Sequence, residues 1–441
     1  MTNVTSEIKK AKSAALVLAS LDTETKNKAL RAMADALDEN RKKILEANAK
    51  DVFIAEQMVK KGELSDALVK RLKVNDEKIT GMIDGIKDVI KLDDPVGETM
   101  SSLELDKGLI LYQIKCPIGM LGVIFESRPD VVPQILSLCL KSGNGVAFKG
   151  GSEASNSNRV LFDVLTKAIA SAGVPKEAFV LMETRDDIDQ ILGMHDHIDL
   201  LIPRGSYDFV KYIQNNTKIP VLGHAAGMCH IYVDNETEID LALGVTLDSK
   251  IQYPAVCNAV ETLLVNAKIA DKFLPRMAKL FKENGVEMRV DKKAKKAIPK
   301  EIKVVDATKE DWDTEYNDLI ISIAVIDGLE EAIDFINTHG SHHTDAIITS
   351  NKEKQAEFVR SVDSADVFIN ASTRFSDGFR YGKGAEVGVS TNKIHSRGPV
   401  GMEGLMIYKY VLVGNGQVVK DYVGKDAKKY IHKKLDKKYG Q

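Results

Sequence analysis

The cysteines are the first side chains in this sequence that could act as nucleophiles. Cys116, Cys139, Cys229 and Cys257 are widely scattered and form no C-x-x-C pair, which argues against both a zinc site and a disulfide framework. Cys257 follows a predicted helix and lies among small and polar residues in the segment Tyr-Pro-Ala-Val-Cys-Asn-Ala, a setting that suits a nucleophile. Because most free cysteines are small core side chains, the pattern alone leaves both roles open for Cys257.

Two glycine-containing turns could bind phosphate groups. Residues 149–153 (Lys-Gly-Gly-Ser-Glu) and residues 203–206 (Pro-Arg-Gly-Ser) each lie between a predicted strand and a predicted helix, where backbone N–H groups and the helix N-terminus favour an anion. An ordinary turn with a helix cap is the alternative. Neither segment fits G-x-G-x-x-G, so the usual dinucleotide fingerprint is missing.

The nine histidines do not predict a metal site. His195 and His197 are two residues apart, and His342 and His343 are adjacent, so neither pair shares a helical face. A serine nucleophile lacks support as well, because the chain has no G-x-S-x-G elbow.

These residues must be positioned by an α/β scaffold. The first ~92 residues have helical apolar spacing with Thr23 as N-cap and a short helix from Ser65, and residues 101–116 have the alternation of a β-hairpin. Short apolar strands then alternate with helices, which is typical of parallel sheets covered on both faces. We expect a last strand pair over 405–412 and 417–419, and a solvated helical tail from residue 425.

Length and composition indicate a globular enzyme of more than one domain. The chain has 441 residues, 44% hydrophobic and 28% charged, with a net charge of −3, so no basic field attracts nucleic acid or a membrane surface. No segment reaches the roughly 18 apolar residues of a membrane span, and the N-terminus lacks the pattern of a signal peptide. We therefore expect a cytoplasmic protein with free thiols and with partners other than nucleic acid or membrane.

Long ordered motifs resemble one known family. The segments CPIGMLGVIFESRPD, LCLKSGNGVAFKGGSEASNSN, YPAVCNAVETLLV, NASTRFSDGFRYGKGAEVG and HSRGPVGMEGL are similar to those of the γ-glutamyl phosphate reductases, within the aldehyde dehydrogenase superfamily. The resemblance covers nearly the whole chain. It implies a Rossmann-like cofactor domain (1–100 and 117–250), an α/β catalytic domain (251–400), an oligomerisation β-flap (101–116 and 401–424) and a basic C-terminal tail (425–441).

The resemblance also implies site residues. Cys257 matches the catalytic cysteine of the superfamily. NADP is the implied cofactor, and its matching residues are Lys149, Ser152, Glu153, Gly205, Ser206 and Glu315. The substrate implied by the resemblance, γ-glutamyl phosphate, carries two anionic groups, a phosphate and a carboxylate. The candidates for binding them are Arg128, Ser372, Thr373, Arg374 and Arg397, because arginine binds such groups through its planar fork. For Arg397 a salt bridge is an equal alternative.

One departure from the superfamily pattern is informative. Hydrolytic aldehyde dehydrogenases carry a glutamate in the segment that matches residues 220–224, and here Val221 and Leu222 stand in its place. In those enzymes the glutamate activates a water molecule that hydrolyses the thioester formed on the catalytic cysteine. Its absence here fits an enzyme whose thioester exchanges with phosphate. The usual asparagine of the oxyanion hole falls near Glu126 and Ser127, which leaves only the backbone N–H of Cys257 as a predicted donor.

The predicted reaction is the NADPH-dependent reduction of γ-glutamyl phosphate to glutamate 5-semialdehyde, a step of proline biosynthesis, through a thioester on Cys257. A hydrolytic or a CoA-dependent acylating dehydrogenase acting on another small aldehyde is the alternative, and a non-catalytic scaffold would be expected to lose the cysteine. We expect a homo-oligomer, because open strand edges are normally covered, and the resemblance makes glutamate 5-kinase a candidate partner.

Overall fold

The computed structural model describes residues 4–64, 66–183, 186–205, 207–224 and 226–440. In these residues no helix is both long and apolar enough to cross a membrane. The helices are α1 (Val4–Leu18), α2 (Thr23–Glu39), α3 (Arg41–Lys60), α4 (Asp66–Leu72), α5 (Asp76–Lys91), α6 (Val131–Ser142), α7 (Ser155–Ser171), α8 (Asp186–Leu192), α9 (Tyr207–Asn216), α10 (Ile239–Ile251), α11 (Ala270–Glu283), α12 (Lys292–Ala297), α13 (Leu329–His339) and α14 (Lys352–Ser361). The strands are β1 (Thr99–Asp106), β2 (Leu109–Pro117), β3 (Met120–Phe125), β4 (Gly145–Gly150), β5 (Phe179–Met182), β6 (Leu200–Arg204), β7 (Cys229–Val233), β8 (Val260–Asn266), β9 (Glu287–Val290), β10 (Val305–Asp306), β11 (Ile320–Ile326), β12 (Thr344–Ile348), β13 (Asp366–Ile369), β14 (Gly388–Ser390), β15 (Gly398–Val400), β16 (Met406–Val413) and β17 (Lys433–Leu435).

The N-terminal helices form as their apolar spacing predicts. In α2, Leu30, Met33 and Leu37 are fully buried, because residues three and four apart share one face of a helix. The predicted N-cap at Thr23 is wrong by one residue: the carboxylate of Asp22 accepts the N–H of Thr25 at 2.7 Å, since a carboxylate caps the exposed N–H groups at least as well as a threonine hydroxyl. Ser65, predicted to begin α4, lies outside the described residues.

A four-stranded parallel sheet carries the predicted phosphate turns. Its order is β5-β4-β3-β6, and the apolar strands β3 and β4 are buried along their whole length. The chain order reverses beside β3, and ligands of open α/β sheets bind at the carboxyl ends of the strands near such a point. The loops that follow β3, β4 and β6 therefore meet at one edge.

The second sheet has seven parallel strands in the order β10-β9-β11-β8-β7-β12-β13. Strand β7 pairs with β8 and β12. It therefore belongs to the same sheet as the strands of the predicted catalytic domain, although it precedes residue 250, where we predicted the boundary. The rest of the domain division stays a prediction. Strands β9 and β10 were not predicted, because they are only four and two residues long and carry charged residues.

The third sheet has the order β16-β2-β1-β17. The predicted hairpin is present as β1 and β2, in antiparallel pairing. Two expectations for the C-terminal region are wrong: residues 417–419 form no strand, and the tail contains a strand, β17, instead of a helix. The tail pairs with the outer edge of β1, where unpaired backbone groups would otherwise face solvent, and local sequence cannot reveal such a distant pairing.

A buried ion pair joins the end of α10 to β8 on either side of Cys257. Lys250 Nζ and Glu261 Oε2 are 2.6 Å apart, and both side chains are almost fully buried. Burial raises the pKa of Glu261 to about 7 and lowers the pKa of Lys250, each partly offset by the other's charge. Such a pair holds the chain firmly but tolerates the loss of one partner poorly.

We therefore predict that Lys250→Met lowers the free energy of unfolding by about 3–5 kcal/mol, because Glu261 is left buried without its cation. The matched double variant Lys250→Met/Glu261→Gln should lose less. Without Lys250 the folded-state pKa of Glu261 rises further above its unfolded value, so the folded protein holds a proton that the unfolded chain has lost. The free energy of unfolding should therefore fall as the pH rises from the unfolded-state pKa to the folded-state pKa of Glu261. Urea unfolding at about pH 6 and about pH 8.5 measures both effects; equal losses in the two variants would contradict the assignment.

Candidate active site

The thiol of Cys257 lies beside the seven-stranded sheet, at the side where the amino ends of its parallel strands meet. Cys257 lies in the turn between α10 and β8 and is partly buried. The backbone of Gly227 packs directly against it: a Cβ at position 227 would lie 2.2 Å from the Cys257 carbonyl oxygen and 2.5 Å from its Cα. The thiol of Cys229 donates to the same carbonyl at 3.2 Å. The backbone of Cys257 is therefore held from two sides.

Parallel pairing brings further side chains to the same edge. Strands β11, β8, β7 and β12 are neighbours, so the loops that precede them meet. His343 directly precedes β12, His224 lies before β7, and Cys257 lies before β8. One ligand-type atom from each of these three residues lies within 4.8 Å of the other two. The histidine pattern gave no sign of this cluster, because its members come from three distant parts of the chain.

His224 is held as a neutral imidazole. Its Nδ1 lies 2.9 Å from the carbonyl oxygen of Val389, and its ring meets the ring of His343 edge-on with the centroids 5.0 Å apart. Burial lowers the pKa of His224, and the Val389 carbonyl and the charge of Glu315 only partly offset this. The side chain therefore stands beside the thiol without a positive charge near neutral pH.

Glu315, predicted to bind the nicotinamide ribose, lies in this neighbourhood as well. It precedes β11, accepts a hydrogen bond from the backbone of Gly227, and interacts electrostatically with His224. Burial raises its pKa, and the nearby imidazole partly offsets that effect. The structure thus brings Glu315 to the loop that supports Cys257.

Apart from Glu315, the predicted cofactor residues that the structure describes lie at the carboxyl edge of the four-stranded sheet. Lys149 is buried at the end of β4, with its Nζ 2.6 Å from the carbonyl oxygen of Gly150, while Ser152 is exposed in the following turn. A Cβ on Gly205 would lie 2.6 Å from a carboxylate oxygen of Glu126, so a larger residue here would have to displace that side chain. Ser206 lies outside the described residues.

Glu153 has a supporting role that the sequence did not indicate. Its carboxylate accepts both the backbone N–H and the hydroxyl of Ser127, each at 2.7 Å. Ser127 is buried and has a φ of 45°, a left-handed conformation that is costly for serine unless its surroundings hold it. The cofactor-side turn therefore fixes the loop that carries Arg128.

A cavity of about 1200 Å³ opens between the N-terminal helices and these loops. Its wall carries charges of both signs, which suits a small ligand that is itself both anionic and cationic. The charged lining residues are Lys70, Lys73, Lys78, Arg128 and Arg204 on the basic side and Glu77, Asp130, Asp377 and Glu386 on the acidic side.

Arg204 joins this cavity to the thiol and was missed as a site residue. It ends β6, lines the cavity, and lies close enough to Cys257 to interact with it electrostatically. Burial, assisted by Arg128, lowers the pKa of Arg204 to about 10. Its guanidinium donates from Nη1 to Gln134 Oε1 at 3.3 Å. Its place in the Pro-Arg-Gly-Ser turn was the signal that could have identified it.

The other predicted substrate residues divide into two groups. Arg374 is buried, interacts electrostatically with Cys257 and follows Thr373, whose buried hydroxyl has no partner in the described part of the chain. Ser372 accepts the hydroxyl of Ser249 at 3.1 Å. Arg397 instead contacts Asp363, with Nη1 3.0 Å from Oδ1 and Nη2 3.1 Å from the carbonyl oxygen, which favours the salt-bridge alternative.

Comparison with known proteins agrees with this geometry. The model of the aldehyde dehydrogenase family matches residues 1–298. The γ-glutamyl phosphate reductase of Methanosarcina mazei is 62% identical over 99% of this chain and 98% of its own. The crystal structure of γ-glutamyl phosphate reductase from Thermotoga maritima is 40% identical, covers 94% of this chain and 99% of its own, and superposes with a TM-score of 0.90.

More distant structures share the fold alone. A glyceraldehyde-3-phosphate dehydrogenase from Methanocaldococcus jannaschii, solved with NADP, is 16% identical, covers 93% of this chain and 94% of its own, and has a TM-score of 0.63. The predicted aldehyde dehydrogenase fold is therefore confirmed. The chain belongs to the aldehyde dehydrogenase family and, within it, to the γ-glutamyl phosphate reductases.

Proposed function

We propose that this enzyme reduces γ-glutamyl phosphate to glutamate 5-semialdehyde with NADPH, through a thioester on Cys257. Family membership makes it an oxidoreductase of proline biosynthesis that uses a nicotinamide cofactor. The observation that carries the mechanistic part is the position of Cys257. The thiol lies near Arg204, which leads to the charged cavity, and the Gly227 backbone that packs against Cys257 donates to Glu315.

The chemistry follows from the groups around the thiol. The thiolate of Cys257 attacks the acyl carbon, and phosphate leaves with the electrons of the broken acyl C–O bond. NADPH, when bound, supplies the hydride that reduces the thioester carbonyl. The thiohemiacetal then collapses, releasing the aldehyde and the thiolate. The backbone N–H of Cys257 has no acceptor in the described part of the chain, so it can donate to the oxyanion.

Arginines at the cavity suit the anionic parts of the substrate. Arg204 and Arg374 both interact electrostatically with the Cys257 thiol, and Arg128 is half exposed on the cavity wall. A guanidinium can bind phosphate or carboxylate through two parallel hydrogen bonds. We assign Arg204 and Arg374 to the reacting phosphate and Arg128 to the distal end of the substrate, in place of Arg397.

Release of the acyl group by water is disfavoured at this site. Val221 and Leu222 are buried and occupy the segment where hydrolytic relatives carry their glutamate. Phosphate is already anionic and needs no base, whereas water typically gains on the order of 100- to 10,000-fold from one. The same argument distinguishes the proposed reaction from that of a hydrolytic dehydrogenase.

The β16 strand supports the proposal of a homo-oligomer. It forms one edge of its sheet and exposes Tyr408, Tyr410 and Leu412, each at least half accessible. An apolar edge strand of this kind is normally covered by another strand, and a second copy of the chain can provide it. The cytoplasmic location and an association with glutamate 5-kinase stay predictions.

Cys257→Ala should abolish turnover, to below about a thousandth of the wild-type kcat, because no covalent acyl carrier remains. NADPH binding, followed by fluorescence titration, should persist. The matched control is Cys116→Ala, since Cys116 is also partly exposed but lies in the β-flap sheet. Near wild-type kcat in Cys257→Ala would exclude the covalent mechanism.

In the oxidative direction, sustained NADPH formation from semialdehyde and NADP should require phosphate or arsenate. Without either, about one equivalent per active site should form and then stop, because the thioester has no efficient acceptor. A spectrophotometric assay with phosphate, with CoA and with neither distinguishes the alternatives. Steady turnover with CoA alone indicates an acylating enzyme, and turnover with neither indicates a hydrolytic one; both results contradict the proposal.

NADPH should be preferred over NADH, and Lys149→Ala should raise the KM for NADPH more than the KM for NADH. The buried ammonium at the end of β4 lies beside the predicted phosphate turn, where it would favour the additional 2′-phosphate. Steady-state kinetics with both cofactors gives the ratio, with the cavity variant Lys70→Ala as a control. An equal change in both KM values would refute this assignment of Lys149.

A further inference from the structure

We propose that Cys257, His224 and His343 form a Zn²⁺-binding site, and that the bound cation reversibly blocks the nucleophile. One ligand-type atom of each residue lies within 4.8 Å of the other two. A thiolate and two imidazoles are a donor set that zinc prefers. The site lies at the reacting sulfur, so its occupation has a direct consequence for activity.

One ring nitrogen of His224 is available to a metal, and so is Nε2 of His343 when its Nδ1 donates to Thr344. A carbonyl oxygen can only accept, so the contact of His224 Nδ1 with Val389 O places the proton on Nδ1 and leaves a lone pair on Nε2. His343 Nδ1 lies 2.8 Å from Thr344 Oγ1. His343 Nε2 is buried and has no partner in the described part of the chain, and a buried polar atom without a partner requires an explanation.

These contacts are also the outer shell that zinc sites use. Histidines that bind zinc almost always donate their second ring N–H to a carbonyl or another polar group, which fixes both ring and tautomer. The Val389 carbonyl serves His224 in this way, and the Thr344 hydroxyl can serve His343. The edge-on contact of the two rings, with centroids 5.0 Å apart, keeps them from stacking and lets both approach one point.

The spacing requires only a small contraction. Zinc binds histidine nitrogen at about 2.0–2.1 Å and cysteine sulfur at about 2.3 Å, so tetrahedral ligands lie roughly 3.3–3.7 Å apart. The observed upper limit of 4.8 Å is about 1 Å longer, within reach of small side-chain rotations. Cys257 and His224 are only partly buried, so the cation has access and water can take the fourth position.

Binding and catalysis compete for one sulfur atom. Zinc binds the thiolate, so the thiol proton is released to solvent as the Zn–S bond forms. Zinc withdraws electron density from the bound thiolate and occupies the space beside it, so the sulfur attacks the acyl phosphate far more slowly, and an acylated sulfur is a poor zinc ligand. Inhibition therefore rests on the proposed nucleophilic role of Cys257, whereas metal binding itself does not.

The test of the site uses the chelator-treated full-length enzyme titrated with Co²⁺, which replaces zinc in sites of this type and is coloured. One equivalent per chain should produce tetrahedral visible bands together with a near-ultraviolet thiolate-to-cobalt charge-transfer band, and Zn²⁺ should remove both. Titration with Co²⁺ that yields no thiolate band, in protein that retains activity, would overturn the proposal.

Ligand variants locate the site. Cys257→Ala should lose the charge-transfer band, and His224→Gln and His343→Gln should each weaken Zn²⁺ binding by more than about 100-fold, beyond the 10- to 100-fold effect of an outer-shell change. Cys116→Ala and His195→Gln, which alter a cysteine and a histidine outside the cluster, should leave binding unchanged. Thermal unfolding checks the buried His343→Gln; if it does not fold, His224→Gln decides, and unchanged affinity there refutes the site.

Activity measurements test the functional consequence separately. One equivalent of Zn²⁺ should reduce semialdehyde oxidation to below about a tenth, and a chelator should restore it. Prior incubation with semialdehyde and NADP in phosphate-free buffer should prevent the cobalt band, because the thioester occupies the sulfur. A normal cobalt band after that incubation would support the metal site while refuting the thioester, so the two proposals fail separately.

Discussion

The contact between the backbone of Gly227 and Cys257 is the constraint on which the site depends. No side chain fits between them, since an added Cβ would lie 2.2 Å from the Cys257 carbonyl, far inside any non-bonded contact distance. The Cys229 thiol holds the same carbonyl from another direction. Because the sulfur is one rotatable bond from a fixed backbone, its position relative to hydride donor and acyl phosphate is largely preset, which is where proximity contributes most to rate.

Two parallel sheets meet at this point with opposite edges. The four-stranded sheet presents the loops at its carboxyl ends, while the seven-stranded sheet presents the loops that precede β7, β8, β11 and β12. Arg204 ends a strand of the four-stranded sheet and interacts electrostatically with the thiol of Cys257, which precedes a strand of the seven-stranded sheet. The hydrogen bond that Ser127 donates to Glu153 ties the β4 turn to the β3 loop, so the predicted cofactor side and the cavity side of the cleft are mechanically connected.

The chemical character of the site follows from which groups are charged. Val221 and Leu222 are buried apolar side chains, and burial holds the nearby His224 neutral. Guanidinium groups supply the positive charge near the sulfur instead. Positive charge of this kind stabilises an anionic leaving group and an anionic acceptor.

The α/β class, the helical N-terminus and the hairpin could all be read from the sequence, which also predicts the catalytic role of Cys257. Apolar periodicity and turn residues are local signals, and the long ordered motifs carried the family resemblance. The motifs also directed attention to the Pro-Arg-Gly-Ser turn, although Arg204 itself was not chosen because its burial beside the thiol is not visible in the chain.

The features that depend on pairing between distant segments became visible only in the folded chain. Strand order brought His224 and His343 to Cys257, placed β7 in the seven-stranded sheet and paired the lysine-rich tail with β1. It also showed that Glu153 supports Ser127 and that Arg397 binds Asp363. Side-chain partners of this kind follow from the sheet register, and no local pattern records which strands become neighbours.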